Sequence, residues 1–307
     1  MRHKFIYLYA LVVSFGIAWI MFFPGKKAGN SMSASLLNTY REGGGTRSFD
    51  LSKNFEFSGE RFPTEIFDVR ERLDRELMVN AYLQSTTVLN IKLAARYFPQ
   101  IETILKEEGV PDDFKYLAVA ESTLRNVSSN AGAKGIWQFM KPTAIQYGLE
   151  VSEEVDERYQ LEKATHAACQ LLKDNYKRFG SWILAAAAYN EGAPRLAREM
   201  AEQRGKNYFD LNLNDETSRY VFRIMAIKEI MQHPEEYDFF VENEHLYEKL
   251  KECNEIVVED TVENWADFAQ SYNLNYRIFK VYNPWLIGQG LSNKTKKRYL
   301  IKIPKNE

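Results

Sequence analysis

Between residues 62 and 245 the apolar side chains return every three or four positions, and no long alternating run interrupts them. That spacing is the period of a helix and not of a strand, so this body is expected to be nearly all α. Residues 68–83 place Val69, Leu73, Leu77 and Met78 among charges. Further helices are expected over about 87–97, ending before Pro99, and over about 100–108, stopped by Gly109. Others are expected over 160–179, from Ser181 as a cap to Gly192, and over 216–232, with Val221, Ile224, Met225 and Ile227 on the apolar face.

The stretch 110–140, VPDDFKYLAVAESTLRNVSSNAGAKGIWQFM, departs from this bland pattern. Pro111 suits a first helical position, and Asp112 and Asp113 suit the positive end of a helix dipole. A helix beginning there puts Phe114, Leu117, Ala118 and Glu121 on one stripe. Glu121 ends an otherwise apolar stripe. Such a carboxyl either reaches an opening or is buried, and burial favours its protonated form. A protonated Glu facing a cleft is a general acid; the ordinary alternative is the solvated last turn of a helix. Gly, Ser and Asn residues follow, then Gly135-Ile136-Trp137-Gln138, in which the amide of Gln138 sits among apolar neighbours and needs partners. Ala185 to Ala188 allow very close packing, and they lead to Tyr189 and Asn190 where a helix meets a loop.

The 307 residues suffice for one sizeable domain and a smaller one, and 45% hydrophobic content allows a real core. A net charge of −2 gives no support for a nucleic-acid binder. The four histidines are scattered and the cysteines, Cys169 and Cys253, are far apart, so no metal site and no cofactor are read. Cys169 is most simply a core thiol, with a Cys169–Cys253 disulfide as the alternative. Residues 1–27 carry basic flanks around an apolar run over 5–23, long enough to cross a bilayer; an uncleaved anchor is favoured over a cleaved signal, and either exports the rest. Residues 28–60, with Gly43-Gly44-Gly45, are expected to form a flexible linker.

Four segments in order, Glu121-Ser122, Gly135-Ile136-Trp137-Gln138, Ala188-Tyr189-Asn190 with Gly192, and ETSRY containing Tyr220, resemble the soluble-lytic-transglycosylase-like domain of bacterial cell walls. The surrounding sequence, over about residues 65–235, is similar to the D-type membrane-bound lytic murein transglycosylases. The Ile-Trp form of the second motif, where Leu-Met is usual, fits that group. The resemblance implies a lysozyme-like, mainly α catalytic domain over 101–245 with a helical preamble over 61–100. It implies a carbon–oxygen lyase that cleaves the MurNAc–GlcNAc β-1,4 bond of peptidoglycan without water, leaving 1,6-anhydroMurNAc ends. Glu121 would be acid and then base. Ser122 would position Glu121 or the sugar, and Gln138 and Asn190 would hydrogen-bond the muramoyl subsites. Tyr189 would contact substrate and Glu121, and Tyr220 would reach Glu121. Ordinary glycosidases need two carboxylates, and no second one with a motif around it is found. A water-adding muramidase on the same fold and an inactive glycan-binding scaffold are the alternatives.

From residue 255 the pattern changes to strand, helix, helix, strand: EIVVED, NWADFAQSYN, NYRIFKVYNPWL stopped by Pro284, and KRYLIKIP. This order, with Asp260-Thr261, Trp265, Phe268-Ala269, Tyr272 and Asn283-Pro284, resembles a degenerate LysM module over 254–307. It implies binding of N-acetylglucosamine-containing glycan; the alternative is a small domain that only packs on its neighbour. The expected partners are therefore peptidoglycan strands and, through 5–23, a membrane. The expected place of action is the periplasmic side of the cell envelope.

Overall fold

The computed structural model describes residues 47–305. The membrane segment expected over 5–23 lies outside them. Among the described residues no helix is long and apolar enough to cross a membrane.

The folded unit begins earlier than the sequence suggests. The linker expected over 28–60 overlaps a packed segment in which Leu51, Phe55 and Phe57 are buried. Phe55 and Phe62 flank an antiparallel hairpin of two-residue strands, β1 (Glu56–Phe57) and β2 (Glu60–Arg61), turned at Ser58 and Gly59. Three aromatic rings and a run of polar residues gave no periodicity, yet the rings find a core. Phe57 meets Phe114 edge-on at 5.1 Å, and Phe114 meets Trp182 at 5.4 Å.

Among the described residues ten helices follow in chain order, eight before the C-terminal module. The first, α1 (Phe67–Tyr82), buries Val69, Leu73 and Leu77 as their spacing predicts. Next comes α2 (Gln84–Glu108), one helix where two were expected. Pro99 lies inside it. Proline removes one backbone donor from the ladder, but the helix resumes, and the Thr103 hydroxyl donates to the Pro99 carbonyl at 2.8 Å. Gly109, at φ +69°, ends it.

The third helix, α3 (Phe114–Ser122), starts after a tight turn in which the Phe114 N–H donates to the Pro111 carbonyl. The remaining helices of this body are α4 (Lys141–Gln146), α5 (Leu161–Phe179), α6 (Trp182–Glu191), α7 (Ala193–Gln203) and α8 (Asp215–Gln232). In α6 every residue from Ile183 to Ala188 is buried, and α8 is buried on nearly all sides from Tyr220 to Ile227. The alanines let α6 sit between α5 and α8, while α8 also packs on α1 and α3. A helix apolar all round belongs at the centre of a bundle.

The C-terminal module has the expected order: β3 (Cys253–Val258), α9 (Trp265–Ser271), α10 (Tyr276–Tyr282) and β4 (Tyr299–Pro304). The two strands pair antiparallel, with Ile256 opposite Ile301. Trp265, Phe279, Trp285 and Ile301 form its core, and Val155 of the preceding body enters the same core. The contact is also made by backbone. Val155 pairs with Leu286, the Asp156 N–H donates to the Trp285 carbonyl at 2.8 Å, and the Ile287 N–H donates to the Glu154 carbonyl at 2.9 Å. The Tyr299 hydroxyl donates to Glu150 at 3.1 Å. Both cysteines are free thiols, Cys169 buried in α5 and Cys253 half-buried at the start of β3.

Candidate active site

Glu121 lies in the last turn of α3. Phe114, Leu117 and Ala118 below it are fully buried, as the stripe predicts. Immediately beyond, Thr123 and Leu124 adopt φ of +53° and +55°. This conformation is costly for residues with a Cβ, and most so for a β-branched one. Two such residues in succession stop the helix one residue after Glu121 and turn the chain into the loop 123–139.

That loop is held by specific bonds. Arg158, itself buried, donates through Nη1 to the carbonyls of Gly132 and Phe139, each at 3.1 Å. Its Nε and Nη2 meet the buried Asp156 at 2.8 and 2.7 Å. Gly135, at φ +82°, passes so close to the Arg158 carbonyl that a Cβ would lie 1.9 Å from it. The Trp137 ring is buried and its Nε1 donates to Thr165 at 2.9 Å. Gln138 is also left-handed, at φ +49°, and its Nε2 donates to the carbonyls of Gly135 (2.7 Å) and Val127 (3.1 Å). Both amide hydrogens serve the loop, which leaves the side-chain carbonyl as the group able to accept from a ligand.

The hydroxyl of Ser122 is buried and donates to the Ile136 carbonyl at 2.8 Å. This bond fixes the end of α3, one residue after Glu121, to the loop. Tyr189, from the end of α6, donates its hydroxyl to the Trp137 carbonyl at 2.7 Å. Of the two partners expected for it, Glu121 is not the one it hydrogen-bonds; burial first, and then the charge of Glu121, push the Tyr189 pKa upward. Asn190 accepts through Oδ1 from the Thr217 hydroxyl at 2.8 Å, so its amide N–H groups remain as donors. Tyr220, on α8, donates its hydroxyl to Oε1 of Glu121.

The electrostatics follow from this packing. Burial pushes the Glu121 pKa up to about 7; the Tyr220 hydrogen bond pulls it down, Glu216 raises it and Arg223 lowers it. Burial and the carboxylate together hold the Tyr220 phenol well above its ordinary value, so it stays a donor. Glu216 and Arg223 are paired at 3.0 Å, and Arg223 also faces Glu76, a buried acid of α1 bonded to Arg219 at 2.6 Å.

Two segments outside the sequence motifs support the site. The hairpin carboxylate of Glu60 accepts from the Ser181 hydroxyl and the Trp182 N–H, at the positive end of α6. Asp113, before α3, accepts from the Ser58 N–H at 2.6 Å and from Lys228 of α8 at 2.7 Å. The hairpin thus ties together the three helices that carry Glu121, Tyr189-Asn190 and Tyr220. Thr217 and Arg158 were also missed. Thr217 sat inside the ETSRY motif and could have been found there; Arg158 had no local signal. Among the described residues, the ligand atoms of Glu242, Glu244 and His245 come close enough to share a metal, but all three are exposed and none belongs to this site.

A carboxyl poised near neutrality and a phenol donating to it thus meet between α3 and α8, with Gln138 on the loop after α3 and Asn190 at the end of α6. Two domain families match parts of the chain, the first ending before α8. Residues 98–212 match the transglycosylase SLT domain, and residues 254–307 match the soluble lytic transglycosylase C-terminal LysM-like domain. The chain therefore carries an SLT domain of lysozyme-like fold followed by a LysM-like module. It is homologous, at 30% identity over 175 residues, to membrane-bound lytic murein transglycosylase D of Escherichia coli K12, a match covering 55% of this chain and 38% of that protein. A putative tributyltin chloride resistance protein of Alteromonas is 28% identical over 127 residues, covering 41% of this chain and 61% of that one. The X-ray structure of an inactive mutant of lytic transglycosylase Slt from Pseudomonas aeruginosa aligns with 49% of this chain and 26% of its own, at 20% identity and a TM-score of 0.38.

Proposed function

We propose that this chain is a peptidoglycan lytic transglycosylase in which Glu121 serves as the single acid and base. The observation that carries this reading is the Glu121–Tyr220 pair, where an acid with a pKa of about 7 faces a phenol that stays protonated. The homologue's name, murein transglycosylase, agrees with it.

In the first step protonated Glu121 gives its proton to the oxygen linking MurNAc to GlcNAc, and the C1–O bond breaks. The substrate's own acetamido group would balance the charge left on C1. The Glu121 carboxylate, stabilised by the Tyr220 hydroxyl, then takes the proton of the muramoyl C6 hydroxyl as its oxygen closes on C1. The product is a 1,6-anhydro end, and Glu121 is protonated again. One carboxyl suffices because no water is activated. Glu216, the acid whose field reaches Glu121, is engaged by Arg223, which supports the one-carboxyl reading. Asn190, through its free amide hydrogens, and Gln138, through its carbonyl, would hydrogen-bond the muramoyl subsites. Tyr189 would contact the sugar with its ring while its hydroxyl holds Trp137. Ser122 would position Glu121 from behind.

The reading extends to location. The apolar run over 5–23 and the relative's description as membrane-bound support action at the envelope, with the enzyme held at the membrane. The LysM-like module would add affinity for N-acetylglucosamine-containing strands.

Mass spectrometry of sacculi digested by the purified protein tests the reaction. Anhydro products are expected. Products heavier by one water would make the enzyme a muramidase, and wild-type digestion by Glu121→Gln would remove Glu121 from the mechanism. Failure of the wild type to digest at all would leave a glycan-binding scaffold.

A further inference from the structure

A cavity of about 430 Å³ opens where α2, the start of α5 and the C-terminal module meet. That volume falls within the usual span of small-ligand sites, about 300–1,000 Å³. None of the six site residues lines it; Asn126 and Ile136 of the loop 123–139 do.

Its charge is uneven. Glu162 and Lys302 neutralise one another across the cavity, and Glu162 also accepts from Gln100. Glu255 is the other acid of the lining, against Arg96 and Lys249. Arg96 is fixed by a bond from its Nε to the Glu248 carbonyl at 2.8 Å and by the Tyr247 ring, with its charge set against no carboxylate among the described residues. The cavity is therefore cationic, with the rings of Tyr97, Tyr159 and Tyr282 along it.

A second feature points to a ligand. Gln160, the residue before α5, lines this cavity, and its side-chain carbonyl oxygen is buried and accepts no hydrogen bond. A buried acceptor without a donor costs on the order of 1–3 kcal/mol, and a bound N–H removes that cost. The occupant thus needs a negative charge for Arg96 and Lys249, an N–H for Gln160, and some apolar surface for the tyrosines. The N-acetylated sugars of a glycan strand supply an N–H and an apolar methyl, but with the lactyl group in amide linkage they carry no net charge for Arg96 and Lys249. A peptide with free carboxylates supplies all three.

We propose that this cavity binds the acidic peptide arm of the cell-wall polymer, separately from the glycan cleaved at Glu121. The proposal rests on the peptidoglycan reading above. The junction between the two domains then holds the peptide of one muramoyl residue while its strand is cleaved at Glu121.

The test uses the full chain carrying Glu121→Gln, so that binding is read without turnover. Calorimetric titration with a synthetic N-acetyl-Ala-γ-Glu-Lys tripeptide, net charge −1 with its N-terminus blocked as it is in the polymer, is expected to give a saturable site with Kd of about 1 mM or tighter. Amidation of the peptide's carboxylates is expected to weaken it about tenfold, Lys249→Glu about fivefold or more, and Gln160→Leu measurably, with far-UV spectra unchanged. Amide shifts on binding should cluster at Arg96, Tyr97 and Cys253. The proposal is overturned if no saturable binding is seen, if the amidated peptide binds equally, if both variants bind like the parent, or if chitotetraose displaces the peptide. A protein that makes anhydro products but binds no peptide loses only this proposal. One that binds the peptide but makes no anhydro product keeps the cavity and loses the reaction.

Discussion

The Tyr220 hydroxyl points its hydrogen at Oε1 of Glu121, joining the centre of α8 to the end of α3. The bond stabilises the ionised carboxyl and opposes the effect of burial, which is the larger of the two. Glu121 is thereby held close to the pH at which a single group can both give and take a proton.

Replacing Tyr220 with Phe removes the pull that lowers the Glu121 pKa. The carboxyl should then hold its proton to higher pH. In wild type, activity that needs protonated Glu121 is expected to fall as pH rises through about 7. In Tyr220→Phe this limb should move alkaline, with kcat lower by about 10–100-fold because the base in the ring-closing step has lost its partner. A pH–rate profile of both proteins checks this; an unmoved limb contradicts the assigned coupling.

The same carboxyl links stability to pH. Its folded pKa lies above the ordinary carboxyl value, so the folded state binds the proton more tightly than the unfolded chain. Stability is therefore lost as pH rises from the unfolded value near 4.5 to about 7, and changes little beyond. Glu121→Gln carries no charge to desolvate. It should be more stable than wild type by on the order of 2 kcal/mol at pH 8, with little difference at pH 4. Thermal melts at the two values give the comparison.

Gly135→Ala puts a methyl group where the Arg158 carbonyl stands, 1.9 Å away, in a backbone conformation that disfavours any side chain. Either the loop or the Arg158 segment must shift. A loss on the order of 3 kcal/mol is expected, together with a fall in activity at temperatures where the variant is still folded, because Gln138 and the Ser122 acceptor sit on the same loop. Denaturant midpoints and digestion rates of the two proteins give both quantities.

Asp156→Ala leaves the Arg158 guanidinium, 4% exposed, without its carboxylate. Removing one partner of a buried pair costs about 3–5 kcal/mol. Denaturant midpoints should show this, whereas an exposed pair such as Arg61–Glu65 should lose less than about 1 kcal/mol when broken.

The helical body was legible because its signals are local. Val69, Leu73 and Leu77 face the core at the spacing that predicts it, and Ser181 caps α6 through the Leu184 N–H as its position suggests. Two misreadings have the same origin. Pro99 reads as a boundary in any window, but the flanking turns bury Ile101, Ile104 and Ala94 strongly enough to carry the helix across it. Phe55 and Phe57 lie in a segment without period, and only their partners far along the chain, Phe114 among them, make them core. At the site, the motif residues are joined by hydrogen bonds whose partners the motifs did not name. Ser122 and Tyr189 look like groups for a ligand, yet both hydroxyls are spent on the carbonyls of Ile136 and Trp137. Which oxygen a hydroxyl finds depends on the loop's path, and that path is set by Arg158, a residue with no motif.

Val155 belongs to the catalytic body by sequence and to the C-terminal core by packing. A boundary drawn on the sequence near residue 254 is therefore no boundary in the energetics. Heating should take the described unit apart in a single calorimetric transition, its measured enthalpy matching the van't Hoff value, and the two modules should be inherited as one object in their resistance to heat.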